Sequence, residues 1–466
     1  MLSHENHVIR FTPEFGDKRL NVRFRKIVEV KLQEMECSIP QAFKQWSQVK
    51  AVYRFMSNKK VNPERILASQ FNSFPEKDFS QSQLVLAVHD TTELDFTGKS
   101  SDEQLGCLSY ENKKGFFLHN TLLLTNEGIP TAVFHQHYWN RQKATLGKKK
   151  ERKHLPIEQK ESYRWIEGFE RVSDHFKNKS STTVINICDR EGDIYELLQV
   201  DRPRNCHYII RSCNNRRVEN VEDSQHTLWE RVNNTPVQGT YRIEVTDQKI
   251  RQKRMSTIEV KWLSDVVLTA PYRKNEKSSP ISVNIIYARE INAPKDTNAV
   301  DWKLLTSLSM KTIDEALTII RYYNCRWRIE RFHYVLKQGC GVEGLQLEQE
   351  HNLKNAISLY SLIACKLLAM MYLSREQPQA SVYSIGFTHQ QYVWLYTYLE
   401  TFYHIKIDKQ TKKNSTIEHF IKLVGTMGGY QKHNKPHPGV KVLWRGMKEL
   451  LTILNCFALL PEKRYG

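Results

Sequence analysis

The sequence lacks the features that mark secreted, zinc-bound or membrane-embedded proteins. Its nine cysteines are scattered without a Cys-x-x-Cys pair, which argues against a zinc spacing or a disulfide framework and predicts a reducing compartment. The N-terminus has no apolar signal-peptide core. The longest apolar run, from Ile357 to Leu373, contains Lys366 and is short for a membrane span, so a buried helix is predicted there. We therefore expect a cytoplasmic protein.

Acidic residues are also scarce relative to basic ones. The chain of 466 residues has 69 Lys and Arg against 51 Asp and Glu, a net charge of +18 and a pI near 9.3. A surplus of this size predicts a polyanionic partner, nucleic acid before membrane. A basic protein without such a partner is the alternative. The length predicts two or three domains.

The N-terminal 75 residues have a helical, basic pattern. Asp17 is a suitable N-cap for a first helix, Ser38-Ile-Pro breaks the pattern, and a second helical stretch runs from Gln41 to Met56. Small basic helical domains often place a helix in the major groove of DNA. A helical cap on a larger domain fits the pattern equally well.

Two short apolar runs further along the chain each end in an acid. Residues 84–90 end at Asp90, and residues 183–189 end at Asp189; both have the pattern of buried strands. The pattern of residues 116–136 predicts a hairpin. In residues 203–308 apolar and polar residues alternate, which predicts an antiparallel insertion with one solvated face. Helices and loops are expected to fill the rest of the chain.

Asp90, Asp189 and the helical Glu330 are candidate metal ligands. Two neighbouring strand ends and a helix can bring three carboxylates together, and such oxygen donors suit Mg²⁺ or Mn²⁺. Each acid has a structural alternative as a turn, cap or ion-pair residue. Nearby acids compete for the same role: Glu93 and Asp95 with Asp90, Glu191 and Asp193 with Asp189.

Four residues near the middle of the chain are separated by helical spacing: Tyr323, Arg326, Glu330 and Lys337. At about 100° per residue they would fall at about 0°, −60°, −20° and −40° on one continuous helix. Arginine, lysine and tyrosine are suitable phosphate ligands. For Trp327, beside them in sequence, we expect a core position.

These residues resemble the Y-(2)-R-(3)-E-(6)-K signature of bacterial insertion-sequence DDE transposases, the group that includes the transposon-five transposase. The segments around Asp90 and Asp189 resemble the two aspartate strands of that family, and the resemblance spans nearly the whole chain. It implies an α/β catalytic core with an RNase H-like mixed sheet and an antiparallel β insertion (about 203–308), flanked by α-helical N- and C-terminal domains. The implied domains are DNA-binding (1–75), catalytic (76–372) and dimerisation (373–466).

The same resemblance implies roles for individual residues. Asp90, Asp189 and Glu330 would be the catalytic metal ligands, with Mg²⁺ as cofactor and Mn²⁺ able to substitute. The residues implied in DNA binding are Tyr323, Arg326, Lys337, Trp302 and Arg211. The implied activity is cut-and-paste transposition by a homodimer on double-stranded DNA with terminal inverted repeats, through a hairpin. A nuclease of the same fold without strand transfer, or a catalytically silent DNA-binding regulator, remains the alternative.

Overall fold

The computed structural model of the chain describes residues 11–34, 37–71, 84–99, 105–143, 146–147, 155–219, 227–246, 253–271, 278–294, 297–385, 387–408, 415–431 and 437–459. Two compact units are formed. The first comprises Met1–Phe79, Thr91–Gly147 and Glu330–Gly466, and the second comprises Ser80–Asp90 and Lys148–Ile329. The chain thus passes from one unit to the other directly after Asp90 and directly before Glu330. The three-domain division at residues 75 and 372 stays a prediction.

The helices, in chain order, are α1 (Lys18–Gln33), α2 (Ile39–Phe43), α3 (Trp46–Met56), α4 (Pro63–Phe71), α5 (Tyr163–Phe176), α6 (Tyr195–Gln199), α7 (Leu228–Asn234), α8 (Ile313–Asn324), α9 (Trp327–Tyr334), α10 (Glu350–Glu376), α11 (His389–Phe402), α12 (Ile417–Met427) and α13 (Val440–Leu459). The strands are β1 (Leu84–Asp95), β2 (Gly115–Thr125), β3 (Pro130–Trp139), β4 (Thr183–Cys188), β5 (Cys206–Arg211), β6 (Gly239–Thr246), β7 (Lys253–Leu268), β8 (Ile281–Ile291) and β9 (Asp301–Thr306).

The first two helices of the first unit, α1 and α2, begin at capped positions. Asp17 caps α1 by accepting a hydrogen bond from the backbone N–H of Arg19, as the sequence predicts. Ser38 begins α2 with a capping box, so the stretch predicted as one helix from Gln41 to Met56 is divided between α2 and α3. The residue after α2, Lys44, has φ 53°, a conformation that ends a helix.

The first unit also contains the β2–β3 hairpin and the long helix α10. The two strands pair antiparallel, which confirms the predicted hairpin. Helix α10 is long and apolar enough to cross a membrane, but 83% of its most apolar window is buried inside the protein. The predicted buried helix is therefore confirmed, and α10 packs against α4 and β3 of the same unit.

The second unit is built on a mixed sheet. The first part of β1 pairs parallel with β4, and β4 pairs parallel with β5. Strands β9, β8, β7 and β6 then follow in antiparallel order. The predicted β-rich segment therefore continues the central sheet, since its first strand, β5, extends the parallel part. Trp165 and Phe169 of α5 and Tyr208 of β5 lie in the apolar core of this unit.

Candidate active site

Asp90 lies inside β1, which continues to Asp95 beyond the end predicted at Asp90, and Asp189 directly follows β4, the parallel neighbour of β1. Val88 on β1 is paired with Ile187 on β4, and each acid follows its paired residue by two positions along the chain. Neighbouring strands lie about 4.8 Å apart, and both acids are half-buried. Burial raises the pKa of the Cys188 thiol well above its usual value, and the charges of Asp189 and Asp90 raise it further. Both carboxylates therefore act on the same thiol.

The backbone around Asp189 is held by local hydrogen bonds. Its carboxylate accepts from the backbone N–H of Glu191 over 2.8 Å and caps the short 3-10 helix Arg190–Gly192. On the other face of the two strands, His89 Nε2 lies 2.9 Å from Asn186 Oδ1 in a buried hydrogen bond. A side-chain hydrogen bond thus joins β1 and β4 in addition to their ladder.

The competing acids have structural partners. Glu191 pairs with Arg164, and Ser109 donates a hydrogen bond to Glu93. Asp95 lies 3.1 Å from Lys113. Asp193 is fully buried; it pairs with Arg216 and accepts from the backbone N–H groups of Cys213 (2.7 Å) and Asn214 (2.8 Å). These contacts give each of the four competing acids a structural partner.

Glu330 is half-buried on α9, in the first unit. The single continuous helix expected from Tyr323 to Lys337 is wrong. Helix α8 ends at Asn324, Cys325 and Arg326 form a turn, and α9 is followed by a π-helix over Val335–Gly339. The four signature residues therefore occupy three elements and a turn, and they do not lie on one continuous helix.

Carboxylate oxygens are the donors that Mg²⁺ and Mn²⁺ prefer. Asp90 and Asp189 fit such an ion by chemistry, and each lies two residues beyond the paired Val88 and Ile187. Across the described ranges, no group of three or more His, Cys, Asp or Glu side chains is arranged to hold a metal ion. The third ligand thus rests on the sequence signature.

The second unit brings together Arg211, Tyr323 and Arg326 with Trp302. The rings of Trp302 and Tyr323 meet edge-to-face at 5.6 Å, and Arg211 Nη2 donates to the carbonyl of Asp301 over 3.0 Å. Burial raises the pKa of Tyr323, and the charges of Arg326 and Arg211 oppose the increase. Tyr323 is only 2% exposed and Arg326 only 6%, so neither presents an open surface to a phosphate.

Trp327 differs from the expectation. It is 43% exposed and is the first residue of α9. The guanidinium of Arg326 lies over its ring, 4.4 Å from the centroid. The predicted core position is therefore wrong.

Lys337 lies in the π-helix, an element that is often found at functional sites. Its Nζ donates to the carbonyl of Glu93 over 2.8 Å and lies 3.3 Å from Glu343 Oε1. Glu343 also accepts from the backbone N–H of Asp95 over 3.0 Å. The lysine is thus half-buried and already paired with an acid in the free chain.

A buried polar network in the first unit is absent from the sequence-based candidates. Its hydrogen-bonded side chains are Asn120, Gln136, His333, Ser358 and Ser361. Burial lowers the pKa of His333 to about 3, with a contribution from Lys337, so this imidazole is neutral. The available signal was the polar triplet His119-Asn120-Thr121 inside an apolar strand.

Comparison with known families agrees with this geometry. Residues 12–61 match the family described as transposase DNA-binding. Residues 166–365, which include Asp189 and Glu330, match the family described as transposase DDE domain. The two matches support a DNA-binding transposase of the DDE type, an enzyme class that generally uses divalent metal ions. The DDE domain implies an RNase H-like fold, and the mixed sheet is consistent with it.

Proposed function

We propose that the chain is a cut-and-paste DNA transposase that binds terminal inverted repeats, cleaves the element's ends and joins their 3′-OH groups to target DNA. The observation that carries this proposal is the position of Asp90 and Asp189, each two residues beyond the paired Val88 and Ile187 of β1 and β4. It is made in a chain that matches a transposase DNA-binding family and a DDE family. The protein acts in the cytoplasm, on the nucleoid.

Asp90, Asp189 and Glu330 are the residues that would hold Mg²⁺, or Mn²⁺ in its place. When bound, a pair of such ions supplies an activated attacking oxygen and stabilises the leaving oxygen of an in-line displacement. The chain itself contributes three carboxylates and the backbone that aims them. The hydrogen bond from the Glu191 backbone to Asp189 and the bond between His89 and Asn186 serve that purpose.

The DNA is bound by residues on both units. Residues 12–61 recognise the terminal inverted repeat, and Lys337, Arg211, Tyr323 and Arg326 contact the phosphates of the element's end. Tyr323 and Arg326 are almost completely buried, so their contact with phosphate requires that end binding uncovers them. The half-buried Trp302 receives a base flipped out of the duplex, because an indole ring stacks on any base.

The reaction proceeds in successive attacks on phosphodiesters. Water nicks one strand at the element's end, and the freed 3′-OH attacks the opposite strand to form a hairpin. Water opens the hairpin, and the same 3′-OH then attacks the target. Two protomers assemble on paired ends through their C-terminal helices.

The first test is to remove each carboxylate charge in turn. Asp90→Asn, Asp189→Asn and Glu330→Gln should each reduce Mg²⁺-dependent cleavage of a cognate end by a factor of about 10³ or more, because a bound metal contributes several kcal/mol of transition-state stabilisation. Binding of the same DNA in the absence of metal should change little, since the phosphate-contacting cations remain. Single-turnover cleavage and a gel-shift titration measure the two properties.

Glu191→Gln is the matched control, because Glu191 lies two residues from Asp189 but pairs with Arg164. It should keep cleavage within a few-fold of wild type. Full cleavage by any one of the three variants would remove that residue from the site. A strand-transfer assay separates the alternative class: a protein that cuts the end but never joins it to a target plasmid is a nuclease of the same fold.

A further inference from the structure

The short helix that carries Glu330 is tied to the β2–β3 hairpin of its own unit by a buried hydrogen bond. The side-chain amide of Asn120, on β2, donates to Nε2 of His333 over 3.0 Å. His333 follows Glu330 by three residues, so the two side chains leave α9 on the same side of the helix. His333 is 6% exposed and Asn120 is fully buried. The contact is therefore in the core, and it lies one helical turn from the acid.

The direction of this hydrogen bond is fixed by its neighbours. Asn120 Oδ1 accepts from Gln136 Nε2 over 2.9 Å, which leaves the amide nitrogen of Asn120 for His333. Gln136 Nε2 also donates to Ser361 Oγ over 2.9 Å, and Gln136 Oε1 accepts from Ser358 Oγ over 2.7 Å. Both serines lie on α10. His333 Nε2 must therefore be an acceptor, and the network links α9 to β2, β3 and α10 with one orientation.

Helix α9 needs an external anchor. It has eight residues, and helices of this length have little stability of their own. A turn precedes it and the π-helix follows, so neither end continues into regular α-helix. Phe332 on the same helix is fully buried, but apolar contact is not directional. A hydrogen bond between two fixed partners defines the rotation of the helix about its axis more narrowly.

We infer that the Asn120–His333 pair is a positioning device for Glu330: it sets the rotation of α9 and thereby the direction of the Glu330 carboxylate. The inference rests on the proposed function, in which Glu330 is a metal ligand. His333 is a positioning residue, because it acts through Glu330. A second hydrogen bond from β2 holds the residue that follows Asp90: His119 Nδ1 lies 2.9 Å from Oγ1 of Thr91.

The test measures Mn²⁺ binding to the full chain by the electron paramagnetic resonance signal of the free ion, without DNA and without turnover. His333→Leu and Asn120→Ala should each weaken Mn²⁺ binding by about tenfold, the usual effect of losing a residue that orients a ligand. His333→Gln should stay within about threefold of wild type, because its amide oxygen can accept from Asn120. Circular dichroism verifies folding, and Asn120→Ala, which changes no residue of α9, decides the question if His333→Leu does not fold.

Ser361→Ala is the matched control: it removes one hydrogen bond from the same buried network but none from α9, so its Mn²⁺ affinity should equal that of wild type. Equal weakening in Ser361→Ala and His333→Leu would overturn the inference, because the effect would then be general packing. Glu330→Gln separates the two proposals. If it loses Mn²⁺ binding while His333→Leu and Asn120→Ala keep wild-type affinity, the positioning role is wrong; if it binds Mn²⁺ like wild type, the metal role of Glu330 itself fails.

Discussion

Lys31 is a basic residue that is too deeply buried to contact DNA. It lies in the predicted DNA-binding region but is only 1% exposed. Its Nζ donates to the carbonyls of Glu34 (3.0 Å) and Cys37 (2.6 Å) and lies 4.8 Å from the centroid of the Tyr360 ring. The cation thus joins the end of α1 to α10 within the first unit, so the net charge overstates the charge that is available to a polyanion.

Burial makes Lys31 a source of pH-dependent stability. It lowers the pKa of this lysine from 10.5 to about 8, so between pH 8 and pH 10.5 the unfolded chain binds more protons than the folded one. The free energy of unfolding should therefore rise by up to roughly 3 kcal/mol across that window from this residue alone. Lys31→Met should lack this increase, as the difference between its urea midpoint and that of wild type at the two pH values will measure.

Lys177→Met is the control for that experiment, since Lys177 is exposed and pairs with Asp174 at the surface. Its midpoint should follow that of wild type at both pH values. If Lys31→Met and wild type change in parallel between pH 8 and pH 10.5, the lysine does not titrate in this range.

At the same scale, the sequence singled out Asp90 and Asp189 as candidate metal ligands but could not exclude their rivals. An acid that follows an apolar run is a local signal. Both runs could be recognised because buried strands consist of consecutive apolar residues. The partner of Glu191 is Arg164 and the partner of Asp193 is Arg216, each distant in sequence. Such pairs form only when the fold brings the segments together, so no local pattern contains them.

At the scale of elements, the break between α8 and α9 could not be predicted from residue types. The segment Tyr323 to Lys337 contains no glycine or proline, the residues that usually end a helix. The break follows Asn324, and the chain resumes as helix at Trp327. Local propensity favours one helix here, and tertiary packing overrides it. By contrast the start of α1 was predictable, because Asp17 is an N-cap by residue type.

The N-terminal end of α8 is stabilised by a capping box. Thr312 accepts from the backbone N–H of Glu315, and the Glu315 carboxylate accepts from the backbone N–H groups of Lys311 (2.6 Å) and Thr312 (3.0 Å). Thr312→Ala should cost about 1 kcal/mol of local helix stability. Amide hydrogen exchange in the first turn of α8 should therefore become about fivefold faster, as mass spectrometry of the corresponding peptide can measure.

Thr397→Ala is the control for this prediction. Thr397 is an exposed residue inside α11, and its hydroxyl donates only to the carbonyl of Val393 one turn earlier. Alanine is a better helix former than threonine, so exchange in α11 should stay equal or slow down. Unchanged exchange in α8 of Thr312→Ala would show that the capping box does not limit the opening of this helix.

At the scale of the whole molecule, local patterns in the sequence predict strands and helices, whereas the grouping of these elements depends on contacts between distant segments. The first unit combines three separate stretches of the chain and the second combines two. Hydrophobic periodicity reports which face of an element is buried but not which distant element covers it. The boundaries predicted at residues 75 and 372 follow composition along the chain, whereas compact units form by packing in space.

The net charge of +18 predicts DNA binding that weakens steeply with salt, because each phosphate contact releases a counterion. The slope of the logarithm of the binding constant against the logarithm of salt concentration counts these contacts for the whole molecule. Lys337→Ala should weaken end binding and reduce the magnitude of that slope by about 0.9, the contribution of one phosphate. In the free chain Lys337 is paired with Glu343 at 3.3 Å, so a bound phosphate must compete with this carboxylate.

Lys354→Ala provides a closely matched comparison for Lys337→Ala. Both lysine side chains are 27% exposed and each is paired with a glutamate, Lys337 with Glu343 and Lys354 with Glu350. Only Lys337 belongs to the signature, so Lys354→Ala should keep the wild-type slope when binding is titrated by fluorescence anisotropy from about 50 to 200 mM salt. If both variants give the same slope as wild type, Lys337 makes no phosphate contact. If both reduce it equally, the effect is one of general charge, and the signature lysine has no special place on the DNA.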